Sequence, residues 1–180
     1  MSVIDNNKRK LILGIGALAA LSQLPAPAYA GRATPKRLSF YNRHTGESTS
    51  QTFWAENQYD QSALDAFRRV LRDHRTGEEM AMDSGLYELL YDLTQTLGTD
   101  RRIEIISGYR SPKTNAMLAS HSSKVAKKSY HMKGMAIDIA IPGVELSELR
   151  RAALSLKRGG VGFYPKSGFV HLDTGRVRQW

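Results

Sequence analysis

Cysteine is absent from this 180-residue chain. Its absence excludes a disulfide framework, a thiolate zinc site and a cysteine nucleophile. Any metal must therefore be bound through histidine nitrogens or carboxylate oxygens, and the sequence contains five histidines. The chain is short and 41% hydrophobic, which predicts a single globular domain around one core.

Acidic residues are scarce relative to basic ones. The 17 Asp and Glu residues stand against 26 Lys and Arg residues, which gives a net charge of +9. Such a charge is typical of a protein with an acidic partner, or of a basic, solvated surface. Interleaved aromatic stacking positions and a basic amphipathic helix are missing from the sequence, so we expect no nucleic-acid partner.

Long hydrophobic runs are missing too. The apolar run at residues 11–21 is too short for a membrane span, which needs roughly 20 residues. It follows the basic residues Lys8-Arg9-Lys10 and precedes Ala28-Tyr29-Ala30, an A-x-A cleavage pattern. This three-part arrangement predicts an export signal over residues 1–30.

The export route remains open between two alternatives. Residues 7–13 resemble a twin-arginine (Tat) signal, but Lys-Arg stands where that pattern has Arg-Arg, so a general secretory (Sec) signal is the other interpretation. Cleavage would leave residues 31–180 as one domain without an integral membrane span. An exported basic domain meets anionic membrane surfaces and the acidic polymer of the cell wall.

The domain is predicted to be α+β, an antiparallel sheet with flanking helices. Period-2 alternation and apolar runs predict strands at residues 38–42, 48–53, 103–107, 135–141, 161–164 and 169–172. Helical periodicity predicts helices at residues 62–75, 83–98, 112–119 and 146–156, the second starting near Asp83 and ending at Gly98.

The most informative segment is residues 129–138, Ser-Tyr-His-Met-Lys-Gly-Met-Ala-Ile-Asp. His131 would lie in the loop that enters a strand, and Asp138 would lie within that strand between two isoleucines. A carboxylate in such a place is costly to bury unless it is paired or coordinates a metal. Asp138 is therefore a candidate metal ligand, with a buried ion pair to Arg110 or a helix cap as the alternatives.

A second candidate segment is residues 169–173, Phe-Val-His-Leu-Asp. Strand alternation puts His171 and Asp173 on one face, so both would point into the same cleft. If the two strands are neighbours, His131, Asp138 and His171 can converge. A catalytic zinc takes three protein ligands and keeps a fourth position open, so the set suits one Zn²⁺ per chain. Asp173 could instead simply start a turn.

The spacing of Ser129, His131, Gly134, Ala136 and Asp138 resembles the S-x-H-x-x-G-x-A-x-D motif of the LAS-type zinc peptidases. That group includes D-Ala-D-Ala carboxypeptidases, murein endopeptidases and the hedgehog signalling fold. The later ligand segment and the upstream Gly-Tyr-Arg segment are also similar. Nearly the whole chain is most similar to the MepK type of murein endopeptidase within this group.

The resemblance implies a hedgehog-like or D-Ala-D-Ala-peptidase-like fold and zinc on His131, Asp138 and His171. It implies that Arg110 stabilises the substrate carbonyl as it becomes an oxyanion. We further expect Ser129 to help hold the peptide. The implied partner is peptidoglycan in the periplasm, with cleavage of peptide crosslinks. The 3-3 links between meso-diaminopimelate residues are the implied preference.

One departure from the group concerns the catalytic base. Many members carry Glu or His just before the last ligand, whereas Gly168, Phe169 and Val170 precede His171 here. Asp173 is the nearest candidate base, and orientation of His171 is its alternative role. The alternative functions are a D,D- or L,D-carboxypeptidase on wall peptides and a non-catalytic, zinc-containing wall-binding module.

Overall fold

The computed structural model of the protein describes residues 34–122 and 125–180, so the predicted export signal at residues 1–30 lies outside the described residues. Eight strands, four α-helices and one 3-10 turn make up the described part. In chain order they are β1 Lys36–Asn42, β2 Ser48–Ala55, β3 Gln58–Tyr59, α1 Gln61–Val70, α2 Ser84–Thr96, β4 Ile103–Ser107, α3 Pro112–His121, the 3-10 turn Tyr130–Lys133, β5 Ala136–Ala140, α4 Leu146–Ser155, β6 Gly160–Tyr164, β7 Phe169–Asp173 and β8 Arg178–Gln179.

All eight strands belong to one sheet in the order β3-β2-β1-β4-β5-β7-β6-β8. The predicted α+β class is confirmed, and most strand pairs are antiparallel, as expected. The pairs β1–β4 and β6–β8 are parallel, which makes the sheet mixed. Strands β3 and β8 were not predicted from the sequence, since two-residue strands have no detectable period.

Local signals explain where the second helix starts and stops. The Asp83 carboxylate accepts a hydrogen bond from Gly85 N at 2.9 Å, which caps the exposed N–H groups of α2. At the other end, Gly98 adopts a φ of +60°, a conformation that stops the helix at low cost. Helix α2 therefore lies between the residues that the sequence predicted as its limits.

The first helix is shorter than predicted, ending at Val70 rather than near Arg75. Its next residues serve a neighbouring loop instead of continuing the helix. Leu71 O accepts a hydrogen bond from Tyr109 N at 2.7 Å, and the Asp73 carboxylate accepts one from Ser111 N at 2.8 Å. Tertiary hydrogen bonding thus overrides the helical periodicity of the sequence.

The two faces of the central strands have different tasks. Ile137 and Ile139 of β5, with Val170 and Leu172 of β7, belong to the buried apolar core. Helices α1, α2 and α4 pack against the strands, and an aromatic cluster fills the core between them (Phe40, Phe53, Phe67 and Tyr87). The alternate residues of β5 and β7 point to the other face, where polar side chains gather.

Within the described ranges, no helix has the length and apolar character required to cross a bilayer.

Candidate metal centre and its cleft

The centre of the site is a pair of residues that face each other across two antiparallel strands. Asp138 of β5 is opposite His171 of β7 in the sheet register. The same row continues to Ser107 of β4 on one side and to Gly162 of β6 on the other. Side chains directly opposite in a sheet lie close together, so the register alone brings the predicted Asp and His ligands into contact.

His131 comes from outside the sheet, on the 3-10 turn that precedes β5. The Ser129 hydroxyl accepts a hydrogen bond from His131 N at 3.3 Å and caps this turn. Gly134 closes the turn at a φ of +67°, and a Cβ there would lie 2.5 Å from Ala81 O. The turn therefore requires glycine, and it delivers His131, only 3% exposed, to the face that carries Asp138.

Three donor atoms converge at this point. The distance from His171 Nδ1 to Asp138 Oδ1 is 2.8 Å, from His131 Nε2 to His171 Nδ1 3.2 Å, and from His131 Nε2 to Asp138 Oδ1 3.3 Å. Tetrahedral ligands at usual zinc bond lengths lie about 3.3 Å apart. The predicted residues His131, Asp138 and His171 are thus brought together with spacings that fit a zinc ion.

In each imidazole, the far nitrogen, which faces away from the three converging donor atoms, already has a hydrogen-bond partner. His131 Nδ1 lies 2.8 Å from Gly108 O, and His171 Nε2 lies 3.1 Å from Asp173 Oδ2. Both oxygens are acceptors, so they keep the ring protons on those far nitrogens when the near nitrogens give up theirs. The near nitrogens then present lone pairs to the centre, which is the protonation state a metal ligand needs.

The charges at the centre are strongly coupled. Burial raises the pKa of Asp138, but the charge of His131 and hydrogen bonds from both imidazoles outweigh it and hold the pKa well below its ordinary value. Burial lowers the pKa of His171, but hydrogen bonds to Asp138 and Asp173 outweigh this effect, so the pKa of His171 is raised above its ordinary value. Because a ligating imidazole nitrogen must be unprotonated, a metal ion would compete with protons for the near nitrogens.

Arg110 lies beside this group, on the loop after β4. Its Nη2 is 3.7 Å from Asp138 Oδ2 and donates a hydrogen bond to Ser107 Oγ at 3.3 Å. Burial lowers the pKa of Arg110 and outweighs the opposing effect of the negative charge of Asp138. The guanidinium nevertheless stays charged, because the pKa of an arginine is far above neutral pH. Asp138 consequently divides its two oxygens between the imidazoles and Arg110, so the ion pair predicted as an alternative coexists with the metal-ligand geometry.

Asp173 is behind the centre rather than in the cleft. It is fully buried, and Arg178 donates to both of its oxygens, at 2.9 and 2.6 Å. Gly160 N, Gly175 N and His171 also hydrogen-bond to it. A carboxylate has about four lone-pair sites, so these donors fill it. Burial raises the pKa of Asp173, but these hydrogen bonds hold it far below its ordinary value.

The centre opens into a cleft of about 440 Å³. Aromatic side chains (Tyr130, Tyr164, Phe169 and Trp180) and basic side chains (Arg110, Lys128 and Arg178) line it together with Ser129 and the three donor residues. Among the lining residues that the structure describes, Asp138 has the one carboxylate side chain. The cleft therefore combines a metal-ligand floor with cationic and aromatic walls.

Five further cleft residues were not predicted from the sequence: Lys128, Tyr130, Tyr164, Arg178 and Trp180. Tyr164 ends a predicted strand, so its position near the site could have been suspected. Arg178 and Trp180 reach the cleft because β8 pairs with β6 in parallel, a long-range pairing without a local sequence signal.

An α+β sheet with a buried His-Asp-His group at the floor of an open cleft defines a metallopeptidase class of protein. The family model described as Peptidoglycan L,D-endopeptidase MepK matches residues 30–180. The chain is 45% identical over 182 residues to the Escherichia coli K12 protein of that name, with both chains covered completely. It is 43% identical over 183 residues to the Haemophilus influenzae protein named Probable peptidoglycan L,D-endopeptidase MepK, covering 100% of this chain and 98% of that one.

The chain therefore belongs to the peptidoglycan L,D-endopeptidase MepK family, a family of peptidases. This result confirms the resemblance noted from the motif spacing.

Proposed function

We propose that this protein is a zinc-dependent endopeptidase that hydrolyses peptide crosslinks of peptidoglycan, with 3-3 links between meso-diaminopimelate residues as its preferred bond. The observation that carries the proposal is the set of three buried donor atoms of His131, Asp138 and His171 at the floor of an open cleft. The names of the full-length relatives, which specify an L,D-endopeptidase, support the choice of bond.

Each residue of the site has a distinct role in this proposal. His131, Asp138 and His171 would hold one zinc ion per chain. Bound zinc polarises a carbonyl oxygen and lowers the pKa of a water molecule to about 7. Arg110 places a fixed positive charge beside the centre, where it stabilises negative charge on the carbonyl oxygen. Ser129 holds the His131 turn through its cap and lines the cleft, where it contacts the peptide.

Asp173 acts by positioning His171 rather than as the general base. Its oxygens are filled by hydrogen-bond donors, and it is fully buried, so it has no free lone pair for a proton from water. Its contact with His171 Nε2 fixes the ring orientation and keeps Nδ1 available as a ligand. The general base is therefore a group other than Asp173.

The charge of the cleft fits an anionic peptide. Arg110 and Lys128 line it, and the one carboxylate side chain of its described lining, Asp138, is engaged by the imidazoles and Arg110. Wall peptides with free carboxylates would gain favourable long-range attraction to such a cleft. A periplasmic location, reached through the export signal at residues 1–30, would place the protein next to this polymer.

The test is mass analysis of muropeptides after incubation of crosslinked sacculi with the purified protein. We expect 3-3 crosslinked dimers to disappear and monomers to accumulate, and we expect a chelator to stop the reaction. His131→Ala should be inactive, whereas His121→Ala, which changes an exposed histidine on α3, should behave as the wild type.

The same spectra separate the alternatives. Shortened stem peptides with intact crosslinks would indicate a D,D- or L,D-carboxypeptidase. Sacculus binding without any new muropeptide, at full zinc occupancy, would indicate a wall-binding module and would refute the endopeptidase proposal.

A further inference from the structure

The hydroxyl of Tyr164 is a polar group on the cleft wall that none of the roles above uses. Trp180 Nε1 donates a hydrogen bond to this hydroxyl oxygen at 2.7 Å. A tyrosine hydroxyl has one proton to donate in addition to the lone pairs with which it accepts. Because the indole N–H occupies one side of the oxygen, the hydroxyl proton must point away from Trp180.

The Tyr164 ring is held firmly in this place. Its ring stacks on Phe169, with centroids 4.7 Å apart and an interplanar angle of 23°. Tyr164 and Arg110 both line the cleft above the donor group. The Tyr164 ring and the Arg110 guanidinium therefore border the same ligand space.

Trp180 in turn is fixed by a close approach to the sheet. A Cβ on Gly162 would lie 2.8 Å from atoms of the indole ring, so only glycine leaves room for it. Gly162 is opposite His171 in the sheet register, and the indole centroid lies 5.2 Å from the His171 ring. Arg178 stacks on the indole at 4.8 Å. Trp180 is still 48% exposed, so it reaches the cleft while remaining anchored.

We propose that Tyr164, oriented by the Trp180 N–H, donates its hydroxyl proton in a hydrogen bond to a peptide oxygen of the substrate in the cleft that Arg110 also lines. This proposal rests on the proposed function, because it assigns a substrate contact within the same cleft. A neutral donor aimed at a carbonyl oxygen gains strength as negative charge develops there. Tyr164 would thus bind the substrate, and Trp180 would act as a positioning residue for Tyr164.

The decisive variants are Tyr164→Phe and Trp180→Phe, which remove one polar group each and keep an aromatic ring. For Tyr164→Phe we expect kcat on a 3-3 crosslinked muropeptide to fall about tenfold or more. Its Kd for the uncrosslinked tetrapeptide product should rise about threefold. Zinc content and Tm should not change. Tyr59→Phe, which removes a hydroxyl on the distant strand β3, is the matched control.

Trp180→Phe should lower kcat by a smaller factor, and the double variant should match Tyr164→Phe alone, since Trp180 acts through the Tyr164 hydroxyl. A Trp180→Phe effect that persists undiminished in the Tyr164→Phe background would refute the positioning role. Wild-type kcat and wild-type product Kd in Tyr164→Phe would overturn the substrate contact.

The outcome remains separable from that of the proposed function. A wild-type protein that cleaves no crosslinked muropeptide refutes the proposed function. In that case the Kd of the tetrapeptide, measured by calorimetry on the intact wild-type and Tyr164→Phe proteins, still decides the Tyr164 contact, and equal values refute it.

Discussion

The floor of the cleft and its wall are built in different ways. On the floor, Asp138 and His171 face each other on adjacent strands at the middle of the sheet, and each donor atom is buried and hydrogen-bonded. On the wall, Tyr164 ends β6 and Trp180 follows β8, the last two strands in the sheet order, and both residues remain partly exposed. A buried, fully partnered group suits binding of a fixed ion, whereas an exposed aromatic wall suits a substrate that enters and leaves.

The difference predicts that changes to the three donor residues abolish metal binding and that a change to Asp173, which contacts His171, weakens it. Changes elsewhere should alter rate, substrate affinity or stability and leave the metal in place.

Asp138→Asn should have the largest effect. The substitution keeps the side-chain volume but removes the negative charge that faces both imidazoles and Arg110. Zinc affinity should fall by more than about 100-fold, beyond the range for residues that only orient a ligand. Zinc per chain by plasma mass spectrometry and crosslink cleavage are the measurements. Asp92→Asn, on the exposed face of α2, is the control. Full zinc occupancy in Asp138→Asn would contradict the ligand assignment.

Asp173→Asn should have an intermediate effect. Arg178 donates hydrogen bonds to both Asp173 oxygens, and an amide, with a single oxygen, cannot accept both of them. The amide would also orient the His171 ring less strictly. We expect zinc affinity to fall about 10–100-fold, with activity restored at saturating zinc. Competition with a zinc-binding dye gives the affinity. If activity instead stayed negligible while zinc was fully bound, Asp173 would have a direct chemical role and the positioning assignment would be wrong.

Asp73→Asn should leave metal binding at the centre unchanged and lower the free energy of unfolding. Burial raises the pKa of Asp73, but hydrogen bonds from Thr114 and the Ser111 backbone N–H lower it to about 2. A carboxyl whose pKa is depressed in the folded state stabilises the protein above its unfolded value of about 3.9, and this contribution is lost as the pH falls towards about 2. The contribution at neutral pH is about 2 kcal/mol.

Urea unfolding of both chelated proteins at pH 7, 4 and 3 measures this contribution. The stability difference between wild type and Asp73→Asn should be largest at pH 7 and should shrink towards pH 3. A difference that stayed constant with pH would show that the Asp73 charge is not its source.

Much of the floor could be predicted from the sequence because short, continuous segments of the chain determine the positions of its residues. The spacing of His131 and Asp138, and the alternation that puts His171 and Asp173 on one face, are properties of a short turn and of single strands. Both segments lie where the sequence placed them, and the register of β5 on β7 joins them.

The wall could not be predicted because it depends on contacts between segments that are far apart in the sequence. Trp180 lies beside His171 because β8 pairs in parallel with β6 and because Gly162 leaves space for the indole ring. The early end of α1 has the same origin, because hydrogen bonds to residues 109 and 111 replace helical ones. Such pairings depend on the folded chain as a whole and leave no period in the sequence.

The most direct test of the metal centre is a zinc titration of the metal-free protein, followed by cleavage of a 3-3 crosslinked muropeptide. We predict that activity rises linearly and saturates at one zinc ion per chain, with no activity in His131→Ala at any zinc concentration. Full activity of the metal-free wild type, or equal activity of the metal-free and zinc-loaded forms, would contradict a zinc-dependent peptidase centred on His131, Asp138 and His171.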